Sequence, residues 1–402
     1  MKVLQINATY GYSSTGLIVQ DIGKMLKDSG NEAFFAYQKS LKHPENGYVV
    51  GNIFDWKAHA LLCRVFGRQG YYSRYATKKL LKYIEKIKPD IIHLHNLHSN
   101  YVHLNLLLKY LAEKDIATVI TLHDCWYFTG KCFHYADVLC EGFKRNCGNC
   151  PKKKDEPRSL LFDVSSKVLE DRKKYLSKIP RLHIVGCSDW VCGEAKKGIL
   201  KDCDITRIYN GVDTTIFKPH EKNILKERYG KDVVYVLGMA NKWLLPANQQ
   251  LLEAVLEVLN ESFKLVLIGC KEEQIKPLQE RNKNVIPLGF IRDRKELAQY
   301  YSSADVFVNV THVDTLPTVN MESICCGTPV MTYNSCGSPE LILEGCGVVV
   351  AGNDVGAMMG LLRGTFSRIE ESSLLRARTQ FDKEVCYQNY LDIYDKLMCR
   401  DR

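Results

Sequence analysis

Short apolar runs alternate with amphipathic stretches along almost the whole chain. KVLQINA (2–8) reads as a strand. TGLIVQDIGKMLKDSG (15–30) then spaces Ile18, Ile22, Met25 and Leu26 as one face of a helix and stops at Gly30. EAFFAY (32–37) returns to strand. DIIHLHN (90–96) and ATVITLHD (117–124) are buried-type strands around a helical VHLNLLLKYLAEK, and RLHIVGCS (181–188) resumes the series. Such alternation predicts parallel sheets covered by helices.

IYNGVDTTIFKP (208–219), with an Asn-Gly turn and a Pro exit, reads as a linker. A second series follows: VVYVLGMA (233–240), FKLVLIG (263–269), NVIPLGF (284–290), DVFVNVT (305–311), PVMTYN (329–334) and GVVVA (347–351). The fold class is therefore α/β, two Rossmann-like doubly wound domains. The first spans 1–207 and the second 208–380. A final helix over 381–402 has no strand after it and is expected to return to the first domain. In open parallel sheets ligands bind beyond the C-terminal strand ends, so two such domains are expected to face each other across a cleft.

Composition changes little. The 402 residues, 46% hydrophobic and 25% charged, suit a globular protein with two cores. No run of about 18 apolar residues spans a membrane, and MKVLQINATYG starts as a strand rather than a leader. A reduced, cytoplasmic setting is expected, with the 16 cysteines mostly scattered as small hydrophobes. The net charge of +9 sits partly in KKLLKYIEKIK (78–88), CPKKKDEPR (150–158) and DRKKYLSKIPR (171–181). These are either solvated helix faces or a contact with anionic lipid at the inner face of a membrane or with a phosphorylated acceptor. Aromatics are not interleaved with these runs as a stacking platform would need, which argues against nucleic acid.

Chemistry concentrates in THVDTLPTVNMESICCGTPV (311–330). It follows a buried strand and sets Asp314 and Glu322 eight residues apart, around Pro317 and the start of a helix. This element resembles the retaining family 4 glycosyltransferases of GT-B fold, whose mark is Glu-x7-Glu; here it reads Asp-x7-Glu. CCGTPVMTYNSCGSPE (325–340), TLHDCWYFTGKC (121–132) and NGVDTTIFKP (210–219) strengthen the likeness, which is closest to the bacterial colanic-acid and capsular-polysaccharide subgroup.

The resemblance implies a nucleotide-sugar donor, UDP- or GDP-linked, and a lipid-linked or oligosaccharide acceptor. It gives Glu322 the ribose hydroxyls, which a carboxylate can accept in pairs. Asp314 would meet the donor sugar. Amides near Thr318, Val319 and Asn320 would meet the diphosphate, as helix N-termini suit anions. The loop TYGYSSTG (9–16), with Gly16, would lie by the donor phosphate, and His123 near the reacting carbon; His95 and His98 would shape the acceptor side. No cofactor is implied for catalysis, and front-face attack needs no protein nucleophile. The Asp-x-Asp at 202–204 reads as a solvated loop.

The chain departs from the subgroup at Leu17, where an Arg is usual. Pro246 and Ala247 stand where an Arg and a Lys should clamp the diphosphate, leaving Lys242 and Arg292 as candidates. A weakened nucleotide-sugar-binding partner of another transferase is thus a rival to an active enzyme. Finally, Cys132, Cys140, Cys147 and Cys150 end in a Cys-x2-Cys knuckle and offer four thiolates to a structural zinc, with Cys125 and His134 as substitutes; unrelated buried thiols or disulfides are the alternatives.

Overall fold

The computed structural model describes residues 1–155, 157–352 and 354–399, and the chain divides into two compact units. The first comprises Met1–Tyr209 with the chain's last helix, from Tyr387 onward. Its sheet has seven strands: β1 (Lys2–Tyr10), β2 (Glu32–Ser40), β3 (Gly47–Val49), β4 (Ile91–Leu94), β5 (Ala117–Leu122), β6 (Leu182–Gly186) and β7 (Ile205–Arg207). All pair in parallel, in the order β3-β2-β1-β4-β5-β6-β7. β4 and β5 are buried at every position, as strands covered on both faces must be. The strand order reverses between β1 and β4, which opens a crevice at their C-terminal ends.

The second unit, Asn210–Cys386, carries β8 (Val234–Met239), β9 (Phe263–Ile268), β10 (Val285–Leu288), β11 (Val306–Asn309), β12 (Val330–Tyr333) and β13 (Gly347–Val350). They are parallel in the order β10-β9-β8-β11-β12-β13, so the switch point lies between β8 and β11. Its core stacks Leu251, Val255, Leu265, Val308 and Met358 around Trp243. A side chain at Gly238 would come within 2.1 Å of Trp243 Nε1, so glycine is what lets that indole close over β8 and donate to Val308 O at 3.0 Å.

From Asn210 on, the segment read as a linker packs within the second unit: Val212 N donates to Phe381 O and Lys383 N to Val212 O. Gly211 serves close approach rather than a turn, because a Cβ there would sit 2.4 Å from Lys383 Cα. The expected terminal helix forms as Lys383–Cys399, preceded by a separate helix, Glu371–Phe381. The carboxylate of Asp382 accepts from Glu384 N and Val385 N and so starts the second helix. That helix buries Tyr387, Tyr390 and Tyr394. Tyr394 Oη meets His93 Nδ1 at 2.7 Å, and Tyr390 Oη meets Thr121 Oγ1 at 3.0 Å.

Candidate functional site

In the second unit the polar groups collect at the switch point. Helix Thr318–Cys325 starts at Pro317, whose fixed φ and missing N–H suit a helix entrance. Glu322 lies one turn in. Burial drives its carboxyl up to about 7, against the pull of Arg294 and of a hydrogen bond from Tyr301 Oη at 3.2 Å. Arg294 also lies over the Phe217 ring. Asp314 sits on the loop leaving β11; its Oδ1 accepts from Leu316 N at 3.1 Å, and its carbonyl accepts from Gly337 N. Thr318 and Val319 are half-buried at the helix start. Asn320 is fully buried, bonded through Oδ1 to Asn309 Nδ2 at 2.8 Å, with its own Nδ2 unsatisfied.

The segment 241–250 reaches the same place. Lys242, in the short helix Ala240–Trp243, is half-buried, and Asn248 Nδ2 donates to its carbonyl and to Val310 O. Asn248 Oδ1 meets His312 Nε2 at 2.7 Å, and the His312 ring stacks on Tyr333. Sequence reasoning missed Asn248 and His312. The signal was a polar pair bracketing two strand ends, but only the fold brings 248 beside 312. Pro246 and Ala247 are exposed. Arg292 is exposed too; the arginine that acts on Glu322 is Arg294, two residues on.

In the first unit, Asn7 ties the switch point together. Its Nδ2 donates to Thr9 O and Thr15 Oγ1, and its Oδ1 accepts from Asn96 N. Gly16 packs the helix Ser14–Asp28 onto the end of β1, where a Cβ would meet Thr9 Oγ1 at 2.8 Å. Ser13 holds φ 60, ψ 165, a region almost reserved for glycine. The loop 9–16 is therefore tight and pre-set.

His123 directly follows β5 and stands beside a histidine chain. Its Nε2 lies 3.1 Å from His95 Nδ1, and His95 Nε2 lies 3.2 Å from Gln5 Oε1. Gln5 Nε2 donates to Val19 O, which leaves Oε1 as the acceptor. His95 must then donate through Nε2. Burial keeps His95 neutral, well below its usual range, so its Nδ1 accepts, and His123 donates through Nε2. The basic nitrogen of His123 is then Nδ1. Burial pulls His123 down to about 4, only partly offset by Asp124. Asp124 Oδ2 lies 2.9 Å from His98 Nε2.

The four cysteines of the loop after β5 are free thiols. Cys132 donates to Cys150, and burial with its neighbours raises Cys147. The expected zinc geometry is not formed: among the described residues no three His, Cys, Asp or Glu side chains converge on one ion position.

Known proteins give this arrangement a context. Residues 17–216 match the model of Glycosyltransferase Family 4 and residues 230–364 that of Glycosyl transferases group 1. The chain is 22% identical to the colanic acid biosynthesis glycosyl transferase WcaC of Escherichia coli (strain K12), over 99% of this chain and all of that one. It is 20% identical to the N-acetyl-alpha-D-glucosaminyl L-malate synthase of Bacillus anthracis, over 94% of this chain and 90% of the relative. Among solved structures it resembles the sucrose-phosphate synthase of Thermosynechococcus elongatus (TM-score 0.69, 16% identity, 99% of both chains). HepE of Anabaena, solved with UDP-glucose, matches with TM-score 0.61 and 17% identity, over 99% of this chain and all of that one. The fold is thus that of the GT-B glycosyltransferases. Two glycosyltransferase domains in tandem, together spanning most of the sequence, place the chain among the glycosyltransferases.

Proposed function

We propose that the protein transfers a sugar, with retention, from a UDP- or GDP-linked donor to a lipid-linked or oligosaccharide acceptor in polysaccharide assembly. The observation that carries this is the carboxylate of Glu322. It lies one turn into a helix at a topological switch point, half-buried, with Tyr301 Oη donating to it and Arg294 acting on it electrostatically. An acceptor-only group there suits a vicinal diol such as ribose. The UDP-glucose complex of HepE and the colanic acid role in the name of WcaC support the donor class and the pathway class. Asp314 would take donor-sugar hydroxyls. Asn320 and the amides at Thr318 and Val319, with Lys242 and Arg292, would take the diphosphate.

The rival reading, a donor-binding partner of another transferase, is favoured by the uncharged Pro246 and Ala247. Turnover of a panel of UDP- and GDP-sugars separates the two, and the anomeric configuration of the product tests retention. Hydrolysis or transfer with the configuration kept is the expected result. Lys242→Ala and Arg292→Ala should each erode the preference for UDP over UMP, and Pro246→Arg with Ala247→Lys should strengthen it. Binding without turnover would favour the partner reading. No binding of any nucleotide, even by the restored double variant, would remove both.

A lipid-linked acceptor implies work at a membrane surface, and the first unit offers a matching patch. The helix Ile53–Phe66 leaves Phe54 78% and Leu61 64% exposed. Leu160 N and Leu161 N donate to the carbonyls of Arg64 and Val65, so the exposed 160–162 loop extends that face; Phe162 stacks on Phe66. Lys57, Arg64, Arg68, Lys154 and Arg158 stand exposed around it. Apolar side chains ringed by cations suit an anionic bilayer. The protein should float with vesicles containing phosphatidylglycerol and not with neutral ones, and Phe54→Ser with Leu161→Ser should abolish flotation. Equal recovery on both vesicle types would remove the charge argument.

A further inference from the structure

Front-face attack needs no protein nucleophile, but the attacking hydroxyl still has a proton to lose. The first unit holds a pair of side chains suited to take it. His98 follows β4 and Asp124 follows β5, so both stand past the carboxyl ends of neighbouring strands. β4 also borders β1 at the switch point, where Asn96 N is tied to Asn7 Oδ1. His98 Nε2 lies 2.9 Å from Asp124 Oδ2, and the two side chains are only 16% and 13% exposed. Burial pushes the Asp124 carboxyl up, but His98 and the amide of Trp126 outweigh it and hold the carboxyl below its usual range. The carboxyl is therefore ionised at neutral pH, and a ring nitrogen 2.9 Å from it must carry a proton. In the neutral ring Nδ1 is then the basic nitrogen.

The pair is held in place. Trp126 N donates to Asp124 Oδ1 at 2.8 Å, and the His98 carbonyl accepts from Gln69 Nε2. The rings of Trp126 and Phe133 pack against that of His98, with centroids 5.6 and 4.4 Å away. The Nε2–H is not yet in line with the carboxylate, as is common for catalytic pairs before substrate binds. The buried histidines nearby are already engaged. His93 meets Tyr394 and Thr121 through its two nitrogens, and His95 meets His123 and Gln5. His98 Nδ1 has no such partner among the described residues. His123 and His134 also act on the pair electrostatically, which sets it beside the ring expected near the reacting carbon.

We propose that His98 is the general base for the acceptor hydroxyl, with Asp124 as the positioning residue that fixes its tautomer; this rests on the transfer reaction inferred above. The acceptor O–H bond breaks and the proton passes to Nδ1. The electron pair left on oxygen forms the bond to the anomeric carbon. The bond from that carbon to the donor phosphate breaks, and its pair leaves with the nucleoside diphosphate. The imidazolium that forms faces the Asp124 carboxylate, which stabilises it without taking its proton. His98 then returns the proton to solvent. A base positioned in this way contributes about 10²–10⁴-fold to a rate.

The test uses the full chain, with the UDP- or GDP-sugar it turns over fastest and water as the acceptor. His98→Ala and His98→Gln should each lower kcat by about 100-fold or more. Gln keeps an N–H for Asp124 where Nε2 stood but offers nothing at Nδ1, so it separates loss of the base from loss of a brace. Its melting temperature and its affinity for UDP in calorimetry should stay close to those of the unaltered protein. Added imidazole should restore part of the rate of His98→Ala, which a purely structural role would not allow. Nitrogen NMR should show Nε2–H on His98 in the unaltered protein. Asp124→Asn presents an amide to the ring, so it should shift that signal toward Nδ1–H and slow turnover. Should His98→Ala fail to fold, His98→Gln still decides. Full turnover by His98→Gln would leave only a brace and overturn the proposal, as would an Nδ1–H signal in the unaltered protein. Absence of turnover of every donor by the unaltered protein would instead remove the transfer reaction itself, and the base with it.

Discussion

Replacing Glu322 by Gln is expected to stabilise the free protein at pH 8 while abolishing its useful affinity for nucleotides. The unfolded carboxyl ionises near pH 4.3. In the native chain burial delays ionisation to about 7. Between those values the folded state keeps a proton that the unfolded state has released. Stability therefore falls as pH rises through the window, and the deficit is complete above about 7. With partial exposure allowed for, it is on the order of 2 kcal/mol. A neutral Gln escapes it, so the gain should be present at pH 8 and absent at pH 4. Binding has the opposite sign. Diol hydroxyls donate to the anion, so UDP affinity should rise through pH 7, with a proton released on binding. Losing charge-assisted hydrogen bonds costs roughly 1.5–3 kcal/mol, or about 10–150-fold in Kd. Glu322→Ala should lose the same affinity. Melting at both pH values and calorimetry with UDP and GDP in two buffers check each part. Unchanged affinity in both variants would sink the assignment of Glu322 to the ribose.

The tandem sheets were legible because the apolar pattern changes period at each element, and β4, β5 and β11 are buried at every position. The pair Asp314 and Glu322 was legible because a strand end, a proline and a helix start occur in order within one short segment. What surrounds Glu322 was not. Tyr301 and Arg294 come from the preceding helix, and Asp293 caps that helix by accepting from Lys295 N, which makes Arg294 its first residue. Position alone could not choose Arg294 over Arg292. The neighbours of His93 show the same limit. Strand alternation puts His93 and His95 on one face, but the tyrosines beside His93 lie some three hundred residues later, one helical turn apart. The basic run at 150–158 also hid its apolar partners: Phe54 and Leu61 became a surface only when 160–162 folded against their helix.

His123→Ala should lower kcat by about 100-fold or more, the scale of losing one positioned group at a reacting centre, while leaving UDP affinity unchanged. The role rests on the proposed transfer reaction, but the state of the ring can be tested without it. Gln5 holds Oε1 toward His95 because its amide nitrogen is spent on Val19 O. That forces His95 to donate through Nε2 and His123 to donate toward His95. His123 therefore presents Nδ1 as its basic nitrogen, and it stays neutral down to about pH 4. A neutral, directed ring can accept a hydrogen bond from a sugar hydroxyl; an imidazolium could not. Nitrogen NMR at pH 7 should show the Nε2–H tautomer for both His95 and His123. Gln5→Leu removes the acceptor that fixes the chain, so His95 becomes able to exchange tautomers. Gln5→Leu should then lower kcat with little change in KM for the donor and alter the tautomer signals of both rings. Gln5→Glu keeps an acceptor at that position and should restore the signals of His95. A purely structural role for Gln5 would instead lower stability and leave the tautomers as they were. An Nδ1–H signal for His123 in the unaltered protein would refute the chain as drawn.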